Sequence, residues 1–243
     1  MSGLFNTFFF QPLYNGLILL MGLLPWFDAG VIVILFTIII KFILFPLSKK
    51  ASLTQIALKE VEPDIAKIKA TYKDNREEIA RKTMELYRER NINPFSGVAI
   101  VLLQLPIIFA LYFVFFKSGL PGLNNDLLYS FIPRPETINM NFLGLFDITQ
   151  KSAILALLAG VSSFIQMRIS APLAPAPLAK GEKANFKDEL ARSMSIQMKY
   201  VFPVIVFFIS FTVSGVVALY WFTSNVFTIF QESYLKKFRT VKA

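Results

Sequence analysis

Lys41 is the residue whose type and position most clearly invite chemistry. It stands inside an apolar run, Val31-Ile-Val-Ile-Leu-Phe-Thr-Ile-Ile-Ile-Lys41-Phe-Ile-Leu-Phe45. A lysine near the centre of a bilayer costs roughly 2.5–3.5 kcal/mol on insertion scales, so a span carries one only where something offsets that cost. One offset is its own stem, which can snorkel the ammonium toward the basic end at Lys49 and Lys50, roughly 10 Å along a helix. The other is a hydrated cavity that the ammonium faces. The other polar residues within apolar stretches are Thr37, Gln104, Ser162, Ser163, Gln166, Ser210, Ser224, Asn225, Thr228 and Gln231. A single Ser or Thr in a span usually bonds its own helix backbone or mediates close packing. Amides are harder to place, because a lipid-facing Gln or Asn is left unsatisfied. Asn225, Thr228 and Gln231 recur at every third position, with Trp221 and Ser224 on or beside the same face. That face must look inward, and with Lys41 it predicts a hydrated, positively charged cavity in the inner half of a membrane.

Several chemistries are excluded or disfavoured. There is no cysteine and no histidine, which removes thiolate nucleophiles, thiolate metal sites and the commonest general base and metal ligand. A Ser–Lys dyad would use Lys41 as base to Ser163 or Ser224, but no glycine-rich nucleophile turn accompanies either serine. A proton- or sodium-coupled transporter or channel would want an intramembrane acid. All 16 acidic residues lie outside the spans or at their edges, where Asp28, Asp147 and Glu232 stand. No internal repeat of the transporter kind is visible, and there is no phosphate-binding loop.

The elements that must position these residues follow from hydropathy and charge. The chain is 55% hydrophobic with 26 phenylalanines, a composition that marks an integral membrane protein. Residues 1–29 carry no basic n-region, and no removable leader is read there. They place Phe8, Phe9, Leu13, Leu17, Leu20 and Leu24 on one helical stripe, as expected of an amphipathic helix on the outer surface. Residues 30–47 form the first span. Residues 48–94 hold 19 charges, and Leu53, Ile56, Ala57, Ile65, Ile68, Ile79, Leu86 and Tyr87 recur at helical spacing. They predict a cytoplasmic two-helix hairpin that turns at residues 72–76, with a kink or restart at Pro63. Residues 95–116 form the second span. Residues 117–149 form an extracytoplasmic loop with a short interfacial helix near residues 127–132. Residues 150–168 form the third span and residues 169–199 a cytoplasmic loop. Ser214-Gly215 then turns the chain between short fourth and fifth spans, 200–213 and 216–235, ahead of a basic tail, 236–243. The fourth is too short for a core of about 30 Å without local thinning or extra flanking residues.

Charge orients this arrangement. Basic residues number 11 between Lys49 and Arg90, six between Arg168 and Lys199, and four from Lys236 onward. Only Lys117, Arg134 and Lys151 fall on the other side. The positive-inside rule therefore puts the N-terminus outside and the C-terminus in the cytoplasm. The basic excess reads as topology and lipid contact, with no sequence-specific nucleic-acid binding implied.

Four stretches resemble, in order, the YidC-type membrane protein insertases of the YidC/Oxa/Alb group. Leu35-Phe-Thr-Ile-Ile-Ile-Lys41-Phe-Ile-Leu-Phe-Pro46-Leu is similar to the family's first core span. Asn93-Pro-Phe with Leu103-Gln104-Leu-Pro106-Ile-Ile-Phe-Ala110-Leu-Tyr112 resembles its second, and Gly160-Val-Ser-Ser-Phe-Ile-Gln166-Met its third. The run from Ser214-Gly215 through Tyr220-Trp221 and Ser224-Asn225 to Gln231 resembles its last hairpin.

The resemblance implies an all-α integral membrane protein: five transmembrane helices around a hydrophilic groove, a cytoplasmic two-helix hairpin and an N-terminal amphipathic helix. The groove is open to the cytoplasm and lipid and closed outside. Against the family, the large extracytoplasmic domain of many members and the long basic tail extension of some are not expected here. Where the family carries a groove arginine, this chain has Lys41, which keeps the charge but loses the bidentate fork. The candidate groove residues are Lys41, Gln104, Gln166, Trp221, Ser224, Asn225 and Gln231. The implied function is that of an insertase and chaperone in the bacterial cytoplasmic membrane, not an enzyme. It would work without nucleotide, metal or other cofactor. Nascent membrane proteins and the lipid bilayer are its partners, with the ribosome and the Sec translocon as candidates for the hairpin.

Overall fold

The first helix, α1 (Gly3–Leu23), is 21 residues long and apolar enough to cross a membrane. In this computed structural model, which describes residues 3–72, 75–93, 96–117, 120, 122–170, 193 and 196–240, it contains a π-helical stretch at Asn6–Phe10. Pro12 explains that stretch: it has no N–H and its ring crowds the preceding turn, so Gln11 N–H reaches back five residues to Asn6 O. The buried face is Phe10, Tyr14, Leu17, Ile18 and Met21, and Phe8 is exposed. Of the expected stripe only Leu17 is fully buried. Two polar side chains set this rotation. Asn15 Nδ2 donates to Leu127 O at 2.8 Å and its Oδ1 accepts from Tyr129 N–H at 2.7 Å, while the Tyr14 hydroxyl accepts from Asn124 N–H.

Asp28 caps α2 (Ala29–Ile43) by accepting from Val31 N–H at 2.9 Å. α2 ends before the boundary expected at residue 47, because Pro46 cannot continue the ladder. The chain breaks at Leu44 and bends 69° into α3 (Phe45–Glu60). The expected restart at Pro63 is present: α4 (Glu62–Thr71) begins there, with Glu62 and Asp64 favourably placed in its first turn. Asn75 caps α5 (Arg76–Glu89) through Glu78 N–H. The end of α5 is a Schellman motif. Asn91, at φ +53°, donates to Arg88 O, and Ile92 donates to Tyr87 O. Residues 73 and 74 of the expected turn, and Pro94-Phe95 of the second matching stretch, lie outside the described residues.

α6 (Ser96–Lys117) contains Pro106. The loop after it lacks the helix expected at 127–132 and forms only a 3-10 turn at Asn125–Leu127. Its backbone groups are instead taken up by Tyr14 and Asn15, and Pro133 and Pro135 limit any continuation. A two-stranded antiparallel hairpin follows, β1 (Asn141–Phe142) against β2 (Phe146–Asp147). Its turn puts Leu143 at φ +53° and Gly144 at φ +71°. Left-handed backbone is easy for glycine and costs a leucine about 1–3 kcal/mol.

The last helices are α7 (Ala153–Ser170), α8 (Gln197–Val213) and α9 (Gly215–Thr240). Of the loop expected at 169–199, residues 171–192, 194 and 195 lie outside the described residues. α8 begins with a five-residue π turn ahead of Pro203, so the helix is longer than the 200–213 expected of the fourth span. α9 continues through residues 236–240, the first part of the expected tail.

Main-chain bonds hold the ends of α2 and α9 beside the hairpin. Ala29 donates to Asn139 O, Ile148 to Met140 O, Val216 to Ile148 O and Gly215 to Gln150 O, at 2.8–3.0 Å. A Cβ at Gly215 would lie 3.1 Å from Ile148 Cα, a contact that would force the neighbouring backbone to give by a few tenths of an ångström. The buried cluster beneath includes Tyr14, Ile32, Val114, Ile148, Val216 and Leu219. Between apolar helices such packing works through dispersion and small residues. Ala156, Ala159, Ser162 and Ser163 of α7 are all buried, and Gly160 lets Phe207 of α8 come close.

Candidate functional site

The structure places Lys41 against the last helix. Lys41, half-buried on α2, donates from Nζ to Thr228 Oγ1 on α9 at 3.3 Å. Thr228 in turn donates to Ser224 O at 2.9 Å, so its hydroxyl is oriented to accept from the lysine. Thr37, one turn before Lys41, is buried and bonds its own helix at Val33 O.

Further along α9, Gln231 bridges to α3. Its Oε1 accepts from Ser48 Oγ at 3.1 Å and its Nε2 donates to Ser52 Oγ at 3.4 Å. Asn225 looks the other way and donates to Ser162 Oγ at 3.1 Å and Ala159 O at 3.4 Å on α7. Gln166 donates to Ser170 Oγ at 3.2 Å, and Ser170 donates to Glu232 Oε1 at 2.7 Å. Trp221 packs partly buried against the core, and Ser224 is buried. Gln104 is half-buried on α6 and makes no hydrogen bond among the described residues. The α9 face is thus a polar seam, its amides satisfied by α3 and α7, with Lys41 as the cation facing it.

The seam includes residues the sequence did not single out. Ser48 and Ser52 are four apart on α3 and share a face, a signal that small polar residues in a charged segment conceal. Glu232, read as an edge residue, is buried. Beside it Lys59 and Lys236 both donate to Ile169 O, at 2.9 and 3.2 Å, capping the carboxyl end of α7. Burial, and then the Lys236 ammonium, hold Lys59 below the usual lysine range, against the pull of Glu232. Neither serine of the considered dyad is paired with Lys41: its hydrogen bond goes to Thr228, and Ser163 Oγ is buried with no partner among the described residues.

Apolar helices joined along a polar seam define a helical membrane protein. The match to known proteins covers most of the chain: the model of the family described as 60Kd inner membrane protein aligns with residues 21–242. A Fusobacterium nucleatum protein named membrane protein insertase YidC is 30% identical over 210 residues, 86% of this chain and 87% of that one. A Clostridium tetani protein of the same name is 31% identical over 213 residues, 88% of this chain and 84% of that one. A Francisella philomiragia relative so named is 30% identical over 206 residues, 84% of this chain but 31% of its own length. The chain belongs to the 60Kd inner membrane protein family, the YidC-type insertases.

Proposed function

We propose that this protein inserts membrane proteins into a bacterial cytoplasmic membrane through a positively charged groove along α2 and α9. The observation that carries this reading is Lys41, a half-buried residue among apolar helices whose ammonium is held, among the described residues, by one 3.3 Å hydrogen bond to Thr228. One long bond leaves the other two ammonium protons for water or for a substrate carboxylate. Moving a hydrophilic flank across the inner leaflet costs less where water and a cation replace hydrocarbon. The emerging substrate helix would then partition into lipid along the apolar outer surfaces of α6 and α9. No nucleotide step enters this mechanism.

The topology that fits has five spans, from α2, α6, α7, α8 and α9, with the N-terminus outside and the C-terminus in the cytoplasm. α1 then lies along the outer surface, a placement supported by the bonds from Tyr14 and Asn15 to the loop at residues 124–129. The α3–α5 hairpin, with its surface ion pairs Arg81–Glu78 and Lys82–Glu85, would receive substrates or contact a ribosome or translocon.

Proteoliposome insertion of a test protein with a short acidic tail tests the reading. Lys41→Ala should slow insertion several-fold and Lys41→Arg should restore it. Wild-type rates for the Ala variant would remove the charge from the mechanism.

A further inference from the structure

The β-hairpin has opposite polarity at its two ends. Its base is polar and wet: Asn141 N–H bonds Asn139 Oδ1 at 2.9 Å, and Asp147 Oδ1 accepts from both the N–H and the hydroxyl of Thr149. Its tip carries Leu143 at 62% exposure and Leu145 at 73%. Leu143 also sits in left-handed backbone, where asparagine or glycine is the ordinary choice at a turn in water. A strained leucine presented outward marks a place where the side chain itself is needed.

The tip is fixed beside the start of α2. Asp28 Oδ1 caps the helix while its Oδ2 accepts from Leu143 N–H at 3.1 Å. Just before Asp28, Trp26 is 71% exposed and stands against Phe27, ring centroids 6.2 Å apart. α2 has 15 residues, which rise about 22 Å. A hydrocarbon core is about 30 Å thick, so apolar surface is needed beyond the ends of α2. At its inner end the chain bends away by 69°. Trp26, Phe27, Leu143 and Leu145 extend the apolar surface at the other end. Tryptophan at such a level is the usual occupant of a membrane interface.

We propose that the Leu143–Leu145 tip and Trp26 form a lipid anchor that enters the leaflet at the α2 start and sets the depth of the bundle there. That α2 spans the membrane, and that this leaflet is the outer one, rest on the topology proposed above. The ligand is the headgroup and acyl boundary of the bilayer.

The chain has no cysteine, so single spin labels can be introduced cleanly. Leu143→Cys, Leu145→Cys and Gln150→Cys would be labelled in dilute proteoliposomes of phosphatidylethanolamine and phosphatidylglycerol. Collision with oxygen would be compared with collision with a water-soluble nickel chelate. Labels at 143 and 145 should favour oxygen several-fold, and the label at 150 should favour nickel. Nickel preference at 143 and 145 puts the tip in water and overturns the proposal. Shielding from both reagents there also overturns it, since protein then covers the tip. A second readout avoids substitution at the hairpin. In a Trp221→Phe background, lipids brominated near the headgroup should quench Trp26 strongly, and unquenched Trp26 contradicts the anchor.

Discussion

Asn15 and Lys41 show how differently the two ends of this molecule are held. Asn15 is 2% exposed, and each of its side-chain polar atoms is committed to backbone, at 2.7–2.8 Å. Around it the end of the bundle is closed by main-chain bonds from the loop to α2 and α9. Lys41 is half-buried, with one long bond to a threonine hydroxyl. One turn further along α9, Gln231 meets Ser48 and Ser52 through side-chain bonds of 3.1 and 3.4 Å. Backbone bonds fix one geometry, whereas side-chain bonds between hydroxyls and amides exchange readily with water or with a passing peptide. The contrast fits a bundle sealed at one end and adaptable toward the other.

Variants should separate the two regions. Gly215→Val forces a side chain onto Ile148 and should cost the most, about 3 kcal/mol, read as a lowered thermal midpoint in detergent. Asn15→Leu leaves Tyr129 N–H unpaired, and Leu127 O with only the 3.4 Å bond from Gln11 Nε2, at a cost of about 2 kcal/mol. It should also expose the link after α1 to protease, and an unchanged cleavage pattern would mean that Asn15 does not hold the helix down. Gln231→Leu removes the bridge from α9 to α3 and should lower stability by only about 1 kcal/mol. A loss as large as that of Gly215→Val would erase the contrast. Glu78→Gln breaks an exposed ion pair on α5 and should leave the midpoint unchanged within error.

What was legible in the sequence was local or periodic. Ser214-Gly215 had to turn, Pro63 had to restart a helix, and the three-residue repeat of Asn225, Thr228 and Gln231 had to point inward, although Asn225 turns to α7 and Gln231 to α3. Lys41 stood out because a charge inside an apolar run needs a partner or water. The rotation of α1 was not legible, because backbone groups more than a hundred residues away select Tyr14 and Asn15 over the apolar stripe. The short β-hairpin was hidden for a related reason: two-residue strands carry no alternation, and Leu143 is an unexpected turn residue. Ser48, Ser52 and Glu232 were obscured by the charged segments around them, where a polar residue is expected to face water. Of the named groove residues, Gln104 and Trp221 make no side-chain hydrogen bond among the described residues.

The most direct test of the central claim is a photocrosslinker placed at Thr228, with a second at Ile148 in the sealed end. Stalled nascent chains of a short-tailed membrane protein would be presented to each. The account predicts that the crosslinker at 228 captures the hydrophilic flank of the substrate and the one at 148 does not. Capture at 148 with none at 228 would contradict it.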